Sequence, residues 1–313
     1  VTDSLSKVYK TVPHVGSVSY VATEQSIGGT RLAQPEIAVV PGTSDAKREA
    51  LPESTSEAPI QVPTGFRETQ INVREMDGEF INLNVDCGDD TVQSPFPGGL
   101  EITDTNSNYR GTAGFKVWDS NDNEYMYTAN HVLNNGDCQV ATDGMADANG
   151  SRLGDTADGH KTHDWVVVND NDSSYDNTVA FNEGDVTIDG YATQNGMESI
   201  QGEQGTLQFQ GIISGKQDAY VKGGGASYYS GCVKMFGSAT KYGVPDYVRE
   251  GDSGGPFWWE KSGGDNLIAG SLTGSEDSGS YSGCGSSGKK GRPAYGYPFW
   301  RVANNTSYTV KDV

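Results

Sequence analysis

The sequence predicts a mostly β protein: two antiparallel β-barrels of the six-stranded type, preceded by a small α+β N-terminal domain. Short apolar or aromatic runs alternate with Gly, Asn, Asp and Ser clusters from Leu100 onward, and almost no long helical period interrupts them. Patterning also changes near residue 90. At 313 residues the chain has room for two or three cores of ordinary size. The expected division is an N-terminal domain over 1–90, a linker over 91–99 and the double barrel over 100–313.

In the N-terminal part, Ile37-Ala38-Val39-Val40, Ile60-Gln61-Val62, Thr69 to Arg74 and Phe80 to Val85 alternate as strands do, with a helix-capable stretch from Asp45 to Leu51. Cys87-Gly88-Asp89-Asp90 and Ser94-Pro95-Phe96-Pro97-Gly98-Gly99 read as a stiff linker rather than a strand. Beyond it, Gly114 to Trp118 and Glu124 to Ala129 flank Asp119-Ser120-Asn121-Asp122-Asn123 as a hairpin. Further strands are expected at Val186 to Tyr191, Thr206 to Ile213, Ala219 to Lys222, Cys232 to Phe236, Pro256 to Glu260 and Asn266 to Thr273. The Asp-rich segments 143–149 and 169–177 lack the spacing, central glycine and terminal glutamate of a twelve-residue calcium loop, and read as turns on an acidic surface. Two closed barrels leave a groove between them, where residues from both halves can meet.

Chemistry concentrates in Gly251-Asp252-Ser253-Gly254-Gly255-Pro256. Glycines on both sides of Ser253 remove the β-carbons that would block a substrate carbonyl, and the N–H groups of Gly251 and Ser253 can then face a developing oxyanion. A serine hydroxyl needs a base, and the chain has four histidines. His131 ends the aromatic run Tyr127-Thr128-Ala129-Asn130-His131, at the mouth of a strand. Asp164, in His163-Asp164-Trp165-Val166-Val167-Val168, stands at the entrance to an apolar run, where a buried carboxylate needs a partner such as an imidazole N–H. Asp155, Asp158 and Asp170 are neighbouring acids, and His160 and His163 beside them raise a metal cluster as an alternative. No Cys/His pair here has zinc spacing, so no metal or cofactor is expected.

With His131, Asp164 and Ser253 in that order, the sequence resembles the chymotrypsin-like serine endopeptidases, nearest the compact prokaryotic secreted branch that includes alpha-lytic protease. The resemblance rests on Thr128-Ala129-Asn130-His131, on Asp164 with its Val run, and on Gly251 to Pro256, and spans roughly residues 97–303. Asn130 stands where the family has a small residue. The resemblance implies a catalytic triad of His131, Asp164 and Ser253, an oxyanion hole from the Gly251 and Ser253 amides, and an acyl-enzyme intermediate. It also implies a side-chain pocket with Tyr247 at its floor and Thr273 and Gly274 in one wall. An aspartate floor would select Lys or Arg. Tyr247 removes that reason, and either a shallow apolar pocket or, through Arg249, an acidic preference follows. Leu51-Pro52 resembles the N-terminal segment of some prokaryotic trypsin-like proteins, and 1–90 is expected either as a pro-domain that assists folding or covers the cleft, or as a permanent structural domain.

Composition fits a secreted acidic enzyme, and the resemblance implies protein or peptide substrates. A net charge of −20, with Asp outnumbering Glu, repels nucleic acid, and no stretch is long and apolar enough to span a bilayer. The acidity is expected to reflect adaptation to high salt, with ordinary acidic solubility as the alternative. Val1 in place of Met is expected of a processed chain. Among four cysteines the expected pairs are Cys232 with Cys284 and Cys87 with Cys138. Two other functions compete. One is a catalytically silent protease-fold protein that holds peptides. The other is an esterase-like hydrolase, since Gly251-Asp-Ser-Gly-Gly also fits a nucleophile elbow; that elbow needs a following helix, which Gly255-Pro256 obstructs, and its histidine last in the chain.

Overall fold

The computed structural model describes residues 93–106, 109–134, 138–170, 174–181, 184–283 and 286–312, with the strand backbones at 15–27, 30–39, 72–75 and 80–82. The first four strands are β1 (Val15–Ile27), β2 (Thr30–Val39), β3 (Asn72–Glu75) and β4 (Phe80–Asn82). They are followed by β5 (Phe96–Gly98), β6 (Glu101–Asp104), β7 (Arg110–Thr112), β8 (Phe115–Trp118), β9 (Glu124–Thr128), helix α1 (Asn130–Leu133), β10 (Gly144–Asp147), β11 (Arg152–His160) and β12 (Trp165–Asn169). Next come β13 (Tyr175–Phe181), β14 (Gly184–Thr187), β15 (Gly190–Tyr191), α2 (Gln194–Ser199), β16 (Leu207–Gly211), β17 (Gly215–Ser230) and β18 (Val233–Gly243). The chain ends with β19 (Val248–Arg249), β20 (Pro256–Glu260), β21 (Asn266–Gly283), β22 (Ser286–Pro298) and α3 (Phe299–Asn305).

Two curled sheets dominate. In the first the order is β7-β6-β10-β11-β12-β9-β8. Its end strands β7 and β8 are joined by only Ala113 and Gly114, so the sheet has to curl until its edges meet. In the second, β21-β20-β16-β17-β18-β22 closes on itself because β22 also pairs with β21. That ring is the expected six-stranded barrel, whereas the first sheet runs to seven strands.

Period-two alternation assigns side chains to the cores. On β9 and β12, Met126, Val166 and Val168 point into the first barrel with Ile102, Val132 and Met145. Their neighbours Tyr127, Trp165 and Val167 point the other way, into a cluster with Phe115, Trp258, Tyr295 and Phe299. Phe115 stacks on Tyr127 at 4.7 Å, and both meet Phe299 edge-on at 5.2 and 5.6 Å. The second barrel is filled by Leu207, Phe209, Val221, Tyr242, Phe257 and Leu272. The aromatic layer therefore fixes the two barrels to each other.

Several expectations need correction. Phe96–Gly98, read as linker, is a buried strand that pairs in parallel with β13, because Phe96 has an apolar core to enter. The 143–149 and 169–177 segments, read as turns, contribute β10 and the start of β13. In the N-terminal part β1, β2 and β3 form a sheet in which β1 was not anticipated. The expected helix at 45–51 and strand at 60–62 lie outside the described residues. The disulfide is Cys138–Cys232, with Cα atoms 5.1 Å apart, and not either expected pair. Cys232 sits at the tip of the β17–β18 hairpin, which reaches the loop after α1; Cys87 and Cys284 lie outside the described residues.

Candidate active site

β9 delivers the chain to His131. Thr128 is its last residue, Ala129 is extended, and α1 then turns His131 inward. Asn130 explains its own presence: its Oδ1 accepts from Ala141 N at 2.8 Å and its Nδ2 donates to Gln139 O at 3.0 Å. A small residue there could not tie down the loop that carries Cys138.

Asp164 precedes β12 and has a left-handed backbone, φ 57°, which costs a non-glycine residue about 1–2 kcal/mol. That conformation turns its carboxylate back onto α1. Oδ1 accepts from the His131 backbone N–H at 2.9 Å, and Oδ2 lies 2.8 Å from His131 Nδ1. The proton belongs on Nδ1, facing the carboxylate, so Nε2 keeps its lone pair. Asp164 is 1 % exposed, His131 5 % and Ser253 0 %.

The serine turn is seated on the same corner. Ser253 O accepts from Thr112 N at 2.7 Å. A β-carbon on Gly254, φ 88°, would lie 2.2 Å from Thr112 O and Thr128 Oγ1 and 3.3 Å from Ala129 N. Only glycine lets the turn approach the end of β9 so closely. Gly111 is constrained too, since a β-carbon there would meet Val132, next to His131, and Ser253 O at 2.9 Å. Around Ser253 the amides of Asp252, Gly254 and Gly255 donate to Arg249 O, Leu272 O and Asp252 O.

Asp252 anchors this turn. Its buried carboxylate accepts from the N–H groups of Arg249 (2.7 Å), Ile213 (2.9 Å) and Ser214 (3.0 Å), and from the Ser214 hydroxyl. Burial raises its pKa above the usual carboxylate value, against the pull of those four donors. Thr112 takes a role at this turn that the sequence alone does not assign. Its hydroxyl donates to Gly251 O at 2.9 Å and accepts from Ile212 N at 3.1 Å, linking the first barrel to both sides of the serine turn.

Of the expected pocket residues, Thr273 and Gly274 are buried on β21, where Gly274 pairs with Tyr295 of β22. Tyr247 precedes β19, which pairs with the same strand at Gly291 and Lys290. The Tyr247 ring has Lys290 Nζ at 4.5 Å and Arg292 Cζ at 4.7 Å. The other edge of this region is covered: β4 pairs antiparallel with Gly274, Ser275 and Glu276.

Two barrel-like sheets, with His131 and Asp164 on the first and Ser253 on the second, make this a chymotrypsin-like fold. No protein-family model matches the chain, and no curated protein matches its sequence. Among solved structures it is similar to a Nocardiopsis protease, NAPase, at 18% identity and TM-score 0.49, covering 69% of this chain and 98% of that one. It is also similar to the MamO protease domain of Magnetospirillum magneticum, at 13% identity and TM-score 0.33, covering 63% of this chain and 86% of that one.

Proposed function

We propose that this chymotrypsin-like chain is a secreted serine endopeptidase whose triad is His131, Asp164 and Ser253. The observation that carries the reading is the two-point grip of the Asp164 carboxylate on His131, which orients the ring and leaves Nε2 basic. In the proposed cycle, Nε2 takes the Ser253 proton as Oγ attacks a peptide carbonyl, and the Gly251 and Ser253 amides receive the oxyanion. Collapse of the tetrahedral intermediate passes the proton from His131 to the leaving amine and leaves an acyl-enzyme. Water then repeats the sequence. Tyr247, Thr273 and Gly274 wall the side-chain pocket, and the cations over Tyr247 favour an acidic substrate side chain over a basic one.

The N-terminal part is read as a segment that covers the groove. Two observations support this: β4 occupies the edge at Gly274–Glu276, and β1 lies alongside β17. The net charge of −20 supports adaptation to high salt, since self-repulsion grows when the Debye length lengthens from about 3 Å at 1 M to about 10 Å at 0.1 M. The deciding experiment is labelling with an active-site fluorophosphonate at high and low salt, before and after removal of the N-terminal segment, beside Ser253→Ala. Labelling of the wild type alone, stronger at high salt, is expected. Absence of labelling in every condition refutes the hydrolase reading. A peptide library then tests the acidic preference.

A further inference from the structure

A cavity of about 530 Å³ opens beside the turn that carries Asp164. His160, His163, Lys234 and Arg301 contribute four basic groups to its lining, with Phe236 and Tyr297 among its aromatic residues. Among the described residues no Asp or Glu lines it, in a chain with 42 acidic residues against 22 basic ones. Such a gathering of basic groups runs against the acidic composition of the chain.

Arg301 Nε and Ser238 Oγ, both in its lining, are buried and have no hydrogen-bond partner among the described residues. Among the described residues Arg301 reaches Gly237 O at 3.5 Å and rests over the Trp300 ring at 4.5 Å. A buried guanidinium N–H is costly to leave unpaired, so an acceptor entering the cavity would be favoured there. His160 Nδ1 accepts from His163 N at 3.2 Å, which places the His160 proton on Nε2 as a further donor. The His160, His163 and Tyr297 rings stack in series, at 4.1 and 4.5 Å, and hold those donors in place. Among the described residues no three His, Cys, Asp or Glu side chains gather as a metal site, which leaves an anion as the complement.

We propose that this cavity binds a small oxyanion, a carboxylate or phosphate group, held by Arg301, Lys234 and the His160–His163 pair. Ser238 adds a neutral donor. Ser238 and Arg301 also border a second cavity of about 340 Å³, but Glu198 lines that one, so the anion sits on the histidine side. Charge supports the assignment. Burial, with His160 and Arg301 nearby, holds the His163 pKa down to about 4. Burial also lowers His160, with Lys161 acting in the same sense and Asp158 opposing. An anion beside these groups favours their protonated forms, so by linkage its binding raises both histidines. Since His163 adjoins Asp164, the ligand would brace the turn that presents the acid.

The test is an NMR titration of the histidine ring signals of the full chain at pH 7 and constant ionic strength. Inorganic phosphate is the probe in one arm and acetate in the other. Saturable shifts confined to His160 and His163 are expected, and a separate pH series with and without saturating anion should show the His163 midpoint moving upward. The tighter of the two anions tells whether the natural ligand is a phosphate or a carboxylate. Arg301→Gln should weaken binding about tenfold or more, as loss of a charge-assisted bond does, and the more conservative Lys234→Gln by several-fold. If Arg301→Gln does not fold, Lys234→Gln decides. Shifts that do not saturate with either anion, that appear equally at His14, or that survive both substitutions overturn the proposal. The readout needs no catalysis, so it is independent of the hydrolase reading.

Discussion

Replacing Thr112 with valine isolates one bridge between the barrels. The shape of the side chain is kept, so no cavity forms, but the hydroxyl that donates to Gly251 O and accepts from Ile212 N is gone. Thr112 and Gly251 are buried, so water cannot replace the bond to Gly251 O, whereas Ile212 is half-buried and water can partly serve its N–H. One buried and one half-buried backbone group left unpaired bring the expected loss to about 1–3 kcal/mol. The same change frees the Gly251 carbonyl and lets the Gly251 amide, one proposed oxyanion donor, drift. Removing such a donor costs about 10²–10³ in kcat; partial misalignment should cost about tenfold, in kcat rather than KM. Urea unfolding at fixed salt and steady-state peptide hydrolysis, normalised to fluorophosphonate-titrated sites, measure the two effects. Thr112→Ser should restore both. If Thr112→Val loses less than about 0.5 kcal/mol and keeps its kcat, Thr112 does not position the serine turn.

Asp164→Asn keeps the size of the side chain but favours the wrong tautomer of His131, and is expected to lower kcat by about 10³–10⁴ with little change in KM; a smaller effect would place the orienting role elsewhere. His163 is held to about pKa 4, below its unfolded value, so the unfolded chain binds more protons between about pH 6.5 and 4 and stability falls as pH drops through that window. The full shift corresponds to about 3 kcal/mol, and partial exposure reduces this to about 1–2 kcal/mol. Wild type should therefore lose that much more than His163→Phe between pH 7.5 and 4.5 in non-coordinating buffer, and an equal loss in both would remove His163 as the cause. Cys138→Ser with Cys232→Ser opens a crosslink over 94 residues, for which chain entropy allows up to about 4.7 kcal/mol; urea midpoints should fall in proportion, and no fall would mean that the bond does not form in solution.

The parts that were legible in the sequence are those whose signal is local. Pro256–Glu260 and the Phe115–Trp118 and Glu124–Thr128 hairpin show alternation or turn chemistry within a few residues, and the structure has strands there. β10, β11 and β22 carry no such signal. Arg152–His160 and Ser286–Pro298 are rich in Gly, Asp, Ser and Lys, and become strands because neighbouring strands supply the pairing. His131, Asp164 and Ser253 each sit in a recognisable run, and the structure brings the first two into contact. The link made by Thr112 has no such local signal, since its partners lie 100 and 139 residues away. The disulfide was beyond reach for the same reason: four cysteines allow three pairings, and only the reach of the β17–β18 hairpin selects among them.

These distant contacts form a ring around the base and the acid. From His131 the path runs through the next residue, Asn130, to Gln139 and Ala141, then through Cys138 to Cys232 at the hairpin tip. Two residues on, Lys234 N donates to Thr162 O at 2.9 Å, within the turn that ends in Asp164, and Asp164 returns to His131. A closed ring of this kind accounts for how Asp164 can keep a left-handed backbone that costs about 1–2 kcal/mol, since relaxing it would break contacts on both sides at once. The oxyanion cavity is built from the same turn and the same hairpin, through His160, His163 and Lys234. Occupancy of that cavity and integrity of the disulfide therefore act on one structural element, and the geometry of the His131–Asp164 pair is set from outside the groove as much as from within it.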